Sequence, residues 1–279
     1  MMNKLPPDYH VHTQMSPDSK ATLKDICACA VDKGIEELAV TDHFEFFPQE
    51  SGKHVDWSRP RRAEQQILVR REETENDIVI RYGVEVGQPQ LYPGLTDRLL
   101  LENPYDFVIG SLHCLGSKDL SELEYSADAV SSIVECYLDN LLEMVETCPI
   151  DALAHFDLPA RYAAKAGVPL DILQMHPQKC EKILRLLIRR GIGLEINTSG
   201  LRQPLRKTMP GENLLCLYRD LGGKWVTLGS DAHRACDVAC GFPDAIQLLR
   251  RVGINRVARF NKRKIDRQRR LLGANSNRT

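Results

Sequence analysis

The sequence lacks the features that mark membrane, secreted and nucleic-acid-binding proteins. Its formal net charge is -1, so no excess of basic residues points to nucleic acid or to an acidic surface. No run of apolar residues reaches the length of about 18 that a membrane helix needs, and the start, "MMNKLPPDYH", has no apolar stretch of the signal-peptide type. We therefore expect a cytoplasmic protein with no membrane or nucleic-acid partner; the oligomeric state is left open.

Cysteine is present, but not in a pattern that predicts disulfides or a zinc ribbon. The chain has nine cysteines, an odd number, and neither "CAC" nor "CDVAC" has zinc-ribbon spacing. We expect buried or incidental free thiols, in agreement with a reducing compartment.

Short apolar runs of strand length alternate with longer helical patterns along the whole chain. This alternation predicts an α/β protein with parallel strands and crossover helices, in one domain over residues 1–279. Seven strands favour a closed or nearly closed barrel over an open sheet. The predicted strands are residues 8–12, 37–43, 78–87, 106–113, 151–157, 192–200 and 225–233.

Amphipathic patterns predict helices over residues 23–34, 129–147 and 177–191. The segment 44–77 is too long for a plain connection: it is interpreted as a loop with aromatic residues followed by a charged helix, and the loop is a candidate functional segment.

The basic stretch 250–270 is either a tail for nucleic acid or a solvated last helix. We favour the helix, because no aromatic platform accompanies the charge.

Potential metal ligands follow the apolar runs. In α/β barrels the side chains that perform chemistry lie at the carboxyl ends of the strands. Six of the eight histidines fall at such ends, which chance placement makes improbable; His54 and His176 receive no role. The strand-end residues are His10, His12, His43, Glu85, His113, His155, Asp231 and His233.

The spacing of these residues strengthens the prediction of a metal site. Residues two apart in a strand share a face, so His10 pairs with His12, and Asp231 with His233. Imidazoles and carboxylates without thiolates suit zinc, iron or manganese. The set exceeds the four ligands of one zinc ion, so two or three ions are expected, with Glu85 suited to bridge two of them. Clustered ions lower the pKa of water and hold phosphoryl oxygens, which favours phosphate-ester hydrolysis; a metal site without catalysis is the alternative.

At these residues the sequence resembles the polymerase and histidinol phosphatase (PHP) family over nearly its whole length. The family's motifs occur in order, and "EINTSGLR" and "HFDLPARY" are most similar to its monofunctional histidinol-phosphate phosphatases. The ordered motifs are "HVH", "TDH", "GVEVG", "IGSLH", "AHFDLP", "LEINTSGLR" and "GSDAH".

The resemblance implies a distorted (β/α)7 barrel with a trinuclear metal centre. It assigns three ligand groups: His10, His12, Glu85 and Asp231; Glu85, His113 and His155; and Asp18, His43 and His233. Arg161 and Arg202 are candidates for the phosphate, since a guanidinium grips phosphate oxygens, although ordinary surface charge is the alternative. Glu195 and Asn197 are either supports of the ligands or core polar groups.

The expected function is hydrolysis of L-histidinol phosphate, a step of histidine biosynthesis. The alternatives are a PHP phosphoesterase for another small phosphate or a nucleotide, and a non-catalytic PHP binding module. After "SLH", the stretch "CLGSKDLSE" lacks the aromatic-rich segment that many histidinol phosphatases carry. We expect catalytic roles for Glu85, Asp231, Arg161 and Arg202, and phosphate binding by Arg161, Arg202, His43 and His233.

Overall fold

A computed structural model of the chain describes residues 5–45, 59–76 and 78–270. Its main feature is a sheet of ten strands, nine of them parallel, in the order β1-β2-β4-β5-β8-β9-β10-β11-β12, with β3 paired to β4 and β12 antiparallel to β11. The strands are β1 Asp8–Val11, β2 Glu37–Val40, β3 His43–Glu45, β4 Val79–Gly87, β5 Phe107–Ser111, β6 Cys114–Leu115, β7 Lys118–Asp119, β8 Ala152–Leu153, β9 Gly193–Asn197, β10 Val226–Gly229, β11 Arg256–Asn261 and β12 Lys264–Arg270.

Helices connect successive parallel strands, as the alternation of patterns predicts. The longest are the amphipathic α4 and the charged α2, and α7 ends at Gly191, whose positive φ of 68° fits a glycine C-cap. The helices are α1 Leu23–Asp32, α2 Arg59–Asn76, α3 Pro93–Glu102, α4 Val130–Thr147, α5 Pro159–Lys165, α6 Ile172–Met175, α7 Pro177–Arg190, α8 Glu212–Asp220 and α9 Phe242–Val252.

The first and seventh parallel strands come together at the carboxyl ends. Val11 forms a parallel bridge with Ala232, just beyond β10. On either side of this bridge, the His12 N–H donates to Ala232 O at 2.9 Å and the Asp231 N–H donates to His10 O at 2.7 Å. The predicted α/β fold with parallel strands is confirmed, and this bridge joins the end of β1 to the turn after β10.

Buried side chains cover both faces of the sheet. Valine, leucine and isoleucine on one face pack against the helices, for example Leu38, Val84 and Val86. A smaller cluster includes Tyr9, Phe107 and several alanines. The alternation of side chains along β4 places Glu85 on the opposite face from its two valine neighbours. In the described part of the chain, no helix is both long and apolar enough to cross a membrane.

Two sequence-based expectations need correction. The basic stretch 250–270 is not a helix: α9 ends at Gly253, and β11 and β12 form an antiparallel hairpin beside β10. Buried Val257 and Phe260 separate the basic residues, so the segment has one apolar side for the sheet and one charged side. The expected loop after residue 43 begins as a strand, because β3 continues along β4. Residues 46–58 of that loop, and His54, lie outside the described residues.

Candidate metal centre

Seven of the nine predicted ligands line one cavity at the carboxyl ends of the strands, and His10 and His12 lie behind it, next to Glu85 and Asp231. The cavity has a volume of about 260 Å³. A larger cavity of about 540 Å³ lies under the 201–214 segment, and no predicted metal ligand is among the described residues that line it. The smaller cavity is therefore the candidate site. Its lining comprises Pro17, Asp18, His43, Glu45, Glu85, His113, Asp119, His155, Leu158, Arg161, Tyr162, Asp231 and His233.

The first ligand group is formed by β1, β4 and the turn after β10. His10 Nε2 lies 3.3 Å from Glu85 Oε2 and 3.8 Å from Asp231 Oδ1. His12 Nε2 lies 3.5 and 3.4 Å from the same two oxygens. Tetrahedral ligands at about 2.1 Å from a zinc ion would be about 3.4 Å from one another, so these four atoms have the separation of ligands to one ion.

The second group uses the other oxygen of Glu85. Glu85 Oε1 lies 3.3 Å from His113 Nε2 and 3.1 Å from His155 Nε2. The two imidazole nitrogens are 3.4 Å apart. Glu85 Oε1 thus faces these two imidazoles, whereas Oε2 faces the two imidazoles of the first group and also His43 Nδ1 at 2.8 Å. Imidazoles on both carboxylate oxygens are the arrangement of a bridging ligand.

The third group lies nearest to solvent. Asp18 Oδ2 is 3.0 Å from His233 Nε2 and 3.6 Å from His43 Nε2. The Asp18 side chain is 56% exposed, whereas its two histidine partners are mostly buried. All nine predicted ligands therefore lie in one cluster, and contacts cross the three groups: His43 Nδ1 lies 2.8 Å from Glu85 Oε2, and the rings of His12 and His233 stack with centroids 4.1 Å apart. The division of the ligands among separate ions stays a prediction.

Several buried ring nitrogens and one carboxylate oxygen in the cavity have no hydrogen-bond partner among the described residues. Polar atoms left in this way at full burial cost free energy unless a ligand satisfies them. Because they converge with the separations of metal ligands, divalent cations fit this site. The atoms are His10 Nε2, His12 Nε2, His43 Nδ1, Glu85 Oε2 and His233 Nε2.

The pKa shifts show how charge is balanced when protons rather than metal ions occupy the site. Burial by itself lowers the pKa of His113, but Glu45 and Glu85 raise it to about 10. Burial, with His233 and His43 nearby, lowers the pKa of His12 to about 3, so its imidazole is neutral and able to coordinate. Burial raises the pKa of Glu85, yet the surrounding imidazoles hold it well below its ordinary value.

Two glutamates orient the imidazoles from behind. Glu195 Oε1 lies 2.6 Å from His10 Nδ1, and Glu195 Oε2 accepts the His155 N–H at 2.8 Å. Glu45 Oε1 lies 2.7 Å from His113 Nδ1. A carboxylate on the far nitrogen fixes the ring and raises its basicity as a ligand. For Glu195 this geometry favours the first of the two alternatives, a support of the ligands.

Sequence reasoning missed Glu45. The residue follows His43 by two positions, so strand spacing would have placed both side chains on one face. The stretch was instead interpreted as the start of a loop, and β3 was not predicted.

Two glycines make room for these supporting carboxylates. A Cβ atom at Gly229 would lie 2.1 Å from Glu195 Oε1 and 2.5 Å from the Cβ of His10. A Cβ atom at Gly87 would lie 1.8 Å from Glu45 Oε2. Any side chain at either position would displace the carboxylate that holds an imidazole.

Two of the ligands lie in strained turns rather than in strands. β8 ends at Leu153 and β10 at Gly229, and the backbone φ angles are 22° at His155 and 53° at Asp231. Positive φ at residues other than glycine is uncommon and concentrates at functional sites. The strand-face argument for Asp231 and His233 therefore assumed the wrong local geometry, although the turn brings both side chains to the cavity.

The two candidate phosphate-binding arginines have different surroundings. Arg161 lines the cavity, and its guanidinium carbon lies 5.6 Å from the centroid of the Tyr162 ring. Arg202 is not among the residues that line it. Its Nη2 donates to Ser230 O at 2.8 Å and to Asp231 O at 3.3 Å, so it contacts the backbone of the turn that carries Asp231.

A protein-family model provides the assignment of the chain. The model described as the PHP domain matches residues 8–199, which include seven of the nine candidate ligands. The chain belongs to the PHP domain family. Asp231 and His233 lie beyond the matched residues, and the fold brings them into the same centre.

Curated relatives of this PHP chain carry phosphatase names. The chain is 29% identical over 275 residues to the histidinol-phosphatase of Lactococcus lactis, covering 97% of this chain and 99% of that protein. It is also 29% identical over 252 residues to a probable histidinol-phosphatase of Thermotoga maritima, covering 90% and 94%.

A solved structure extends the likeness to three dimensions. Histidinol phosphate phosphatase of Lactococcus lactis, crystallised with zinc, L-histidinol and phosphate, aligns with a TM-score of 0.81 at 27% identity. The alignment covers 95% of this chain and all of that one.

Proposed function

We propose that the protein is a metal-dependent phosphatase that hydrolyses L-histidinol phosphate to L-histidinol and phosphate. The observation that carries the proposal is the buried Glu85, whose Oε1 faces two imidazoles and whose Oε2 faces three others. Relatives named histidinol-phosphatase, similar over nearly their full length, support this substrate. The neighbour that holds zinc, L-histidinol and phosphate supports it as well.

The donor set fits two or three divalent ions, which we propose to be zinc, manganese or iron. Such ions supply a water of lowered pKa and positive charge for the phosphoryl oxygens. Six imidazoles and the carboxylates of Asp18, Glu85 and Asp231 would hold them. We propose catalytic roles for Glu85 and Asp231, whose buried carboxylates would hold the ions that supply the attacking water.

Three residues of the cavity are proposed to contact the phosphate: Arg161, His43 and His233. We propose that Arg161, which stands on the ring of Tyr162, donates to phosphate oxygens and stabilises their charge in the transition state. We propose that His43 and His233 also bind the phosphate, since both line the cavity and lie beside the exposed Asp18. A phosphate-binding role for Arg202, and a cytoplasmic location, stay predictions.

Metal removal and return test the proposal most directly. Activity on L-histidinol phosphate should disappear with a chelator and return with manganese or zinc, together with a metal content of two to three ions per chain. Unchanged activity in the metal-free protein would contradict the proposal. A metal content well below one per chain, with no activity on any ester, would identify a binding module.

The substrate is tested by steady-state rates on a panel of phosphate monoesters that includes nucleotides. The largest kcat/KM should be that for L-histidinol phosphate. Growth rescue of a strain that lacks histidinol phosphatase is the matching test in cells. A higher kcat/KM for a nucleotide or another small phosphate would redirect the proposal to that substrate while keeping the metal chemistry.

A further inference from the structure

The lining of the metal cavity contains one carboxylate that pairs with no imidazole. The carboxylates of Asp18, Glu45, Glu85 and Asp231 each lie within ion-pair distance of a histidine ring. Asp119 lines the same cavity, and no histidine, lysine or arginine among the described residues forms an ion pair with it. Its negative charge therefore faces the cavity without a counter-charge from the described part of the protein.

The position of Asp119 is fixed by the backbone next to a candidate ligand. β6 and β7 form a small hairpin in which Asp119 pairs with Cys114, the neighbour of His113. The hairpin closes through the Leu120 N–H, which donates to His113 O at 2.7 Å. Asp119 Oδ1 also accepts the Ser121 N–H at 2.8 Å, as an N-cap of the short helical turn that follows. This anchoring holds the carboxylate at the cavity wall before any ligand arrives.

The cavity therefore offers two kinds of charge to a substrate. Arg161 and the metal ligands form a region for the phosphate, and Asp119 forms a negative region beside it. A ligand that complements both carries an anionic phosphate and a cationic group a short distance away. L-Histidinol phosphate has this form, because its ammonium group is on the carbon next to the one that carries the ester oxygen.

We infer that Asp119 is the specificity residue that binds the substrate's ammonium group and so selects phosphate monoesters with an amino group close to the phosphate. The inference rests on the proposed function and adds a residue to it. Asp119 takes no part in metal binding or in phosphoryl transfer. Its effect is on substrate affinity, since the ammonium group does not change during the reaction.

The test compares two substrates in two enzymes. The substrates are L-histidinol phosphate and its analogue without the amino group, 3-(imidazol-4-yl)propyl phosphate. The Asp119→Asn variant keeps an oxygen for the Ser121 N–H and removes the charge. With L-histidinol phosphate we expect KM to rise about 10- to 100-fold in the variant, the effect of a lost charged hydrogen bond, with kcat changed by less than about threefold. With the analogue, both enzymes should have the same KM.

A matched variant separates recognition from folding of the hairpin. Glu122→Gln alters the same capping box, in which Glu122 Oε2 accepts the Asp119 N–H at 3.3 Å, but Glu122 does not line the cavity. This variant should leave both KM values unchanged. Metal content per chain should equal that of the wild type in both variants.

Three outcomes would overturn the inference. Equal loss on both substrates in Asp119→Asn would show a structural role. No loss on either substrate would show that the carboxylate does not contact substrate. Failure of the wild-type enzyme to hydrolyse L-histidinol phosphate, with activity on other esters, would contradict the proposed function, and the inference would fall with it.

Discussion

Two buried glutamates on neighbouring strands, Glu37 in β2 and Glu85 in β4, have opposite roles. Their side chains are 2% and 1% exposed. Glu37 accepts the Tyr9 O–H at 2.5 Å and pairs with Arg81 at 3.0 Å and Arg259 at 2.9 Å. Its charge is balanced by permanent cations and a hydroxyl donor, so the pairing is complete within the chain.

Glu85 is surrounded by histidine rings instead. Imidazoles can be neutral, with lone pairs that point toward the same space as the carboxylate oxygens. Glu85 Oε2 and several facing ring nitrogens have no hydrogen-bond partner among the described residues. The carboxylate of Glu37, with its arginine and hydroxyl partners, stabilises the fold. The carboxylate of Glu85 lies among imidazoles and can bind cations together with them. The following predictions test that contrast, from the largest expected effect to the smallest.

Replacing Glu85 by glutamine should abolish most activity. The variant keeps the shape but loses the charge that faces both ligand groups. We expect kcat/KM to fall roughly 1000-fold, equivalent to about 4 kcal/mol, together with a lower metal content per chain. Steady-state kinetics and elemental analysis measure both. If Glu85→Gln kept the metal content and the activity of the wild type, the proposed bridging role of Glu85 would be contradicted.

Replacing Glu37 by glutamine should act on stability alone. The variant leaves the half-buried Arg81 and Arg259 without their carboxylate, which we expect to cost about 2 kcal/mol of unfolding free energy. Because Glu37 does not line the metal cavity, metal content and kcat/KM of the folded variant should match the wild type. Denaturant unfolding gives the first quantity. If Glu37→Gln lost metal but kept its unfolding free energy, Glu37 would act in metal binding, and the contrast with Glu85 would be wrong.

The two arginines extend the contrast to positive charges. Arg161→Met should lower kcat/KM about 100-fold at unchanged metal content, because it removes a donor to the phosphate. Arg202 donates hydrogen bonds to the turn that carries Asp231. Because Arg202→Met removes them, we expect this variant to have a lower metal content. A direct phosphate role for Arg202 would give the Arg161 result instead. Kinetics and metal analysis on the same preparations decide between the two.

Glu195→Gln tests whether Glu195 orients the imidazole of His10 for metal binding. Glutamine can accept the His155 N–H but no longer places a charge beside His10 Nδ1. We expect metal affinity to fall about 10- to 100-fold, the usual effect of removing such a partner. Competition with a chromophoric chelator measures the affinity. Unchanged affinity would leave Glu195 as a core polar group, the second of the two alternatives.

Asp157 lies between the cases of Glu37 and Glu85, because only one of its two carboxylate oxygens accepts a hydrogen bond from the described residues. Oδ2 accepts the Gly211 N–H at 3.0 Å, while Oδ1 is buried and has no partner among the described residues. Burial raises the pKa of Asp157 to about 7. In an unfolded chain the pKa is about 3.9, so the folded state binds this proton more tightly.

The consequence is a loss of stability as pH rises. The contribution of Asp157 is complete below about pH 4 and is lost as pH increases to about 7, with a slope of at most about 1.4 kcal/mol per pH unit. Asp157→Asn stays neutral and should have a flatter profile in unfolding experiments with a chelator present. Asp244→Asn, at an exposed position, is the control and should keep the wild-type slope. Equal slopes in all three proteins would show that Asp157 does not titrate in this range.

The sequence predicted a residue's role when that role depends on the residues next to it in the chain. It did not when the role depends on a distant strand. His10, His12 and Glu85 were found because they end apolar runs in ordered motifs. Glu45 was missed because its strand, β3, is a three-residue extension that forms only against β4. The hairpin β11–β12 was missed because a high density of basic residues hid the buried Val257 and Phe260. In both cases pairing with another strand overrides the local pattern.

The sequence by itself indicated the α/β class and eight candidate ligands at strand ends, because strand periodicity and residue type are local properties; the family resemblance added Asp18 and the grouping of the ligands. Only the tertiary structure decided which of these side chains come together, which carboxylates support the imidazoles and which cavity carboxylate has no imidazole partner among the described residues. Those questions concern distances between residues far apart in the chain, such as His10 and Glu195 or His113 and Glu45. Such distances are set by how strands and turns pack, as the strained turns at His155 and Asp231 illustrate.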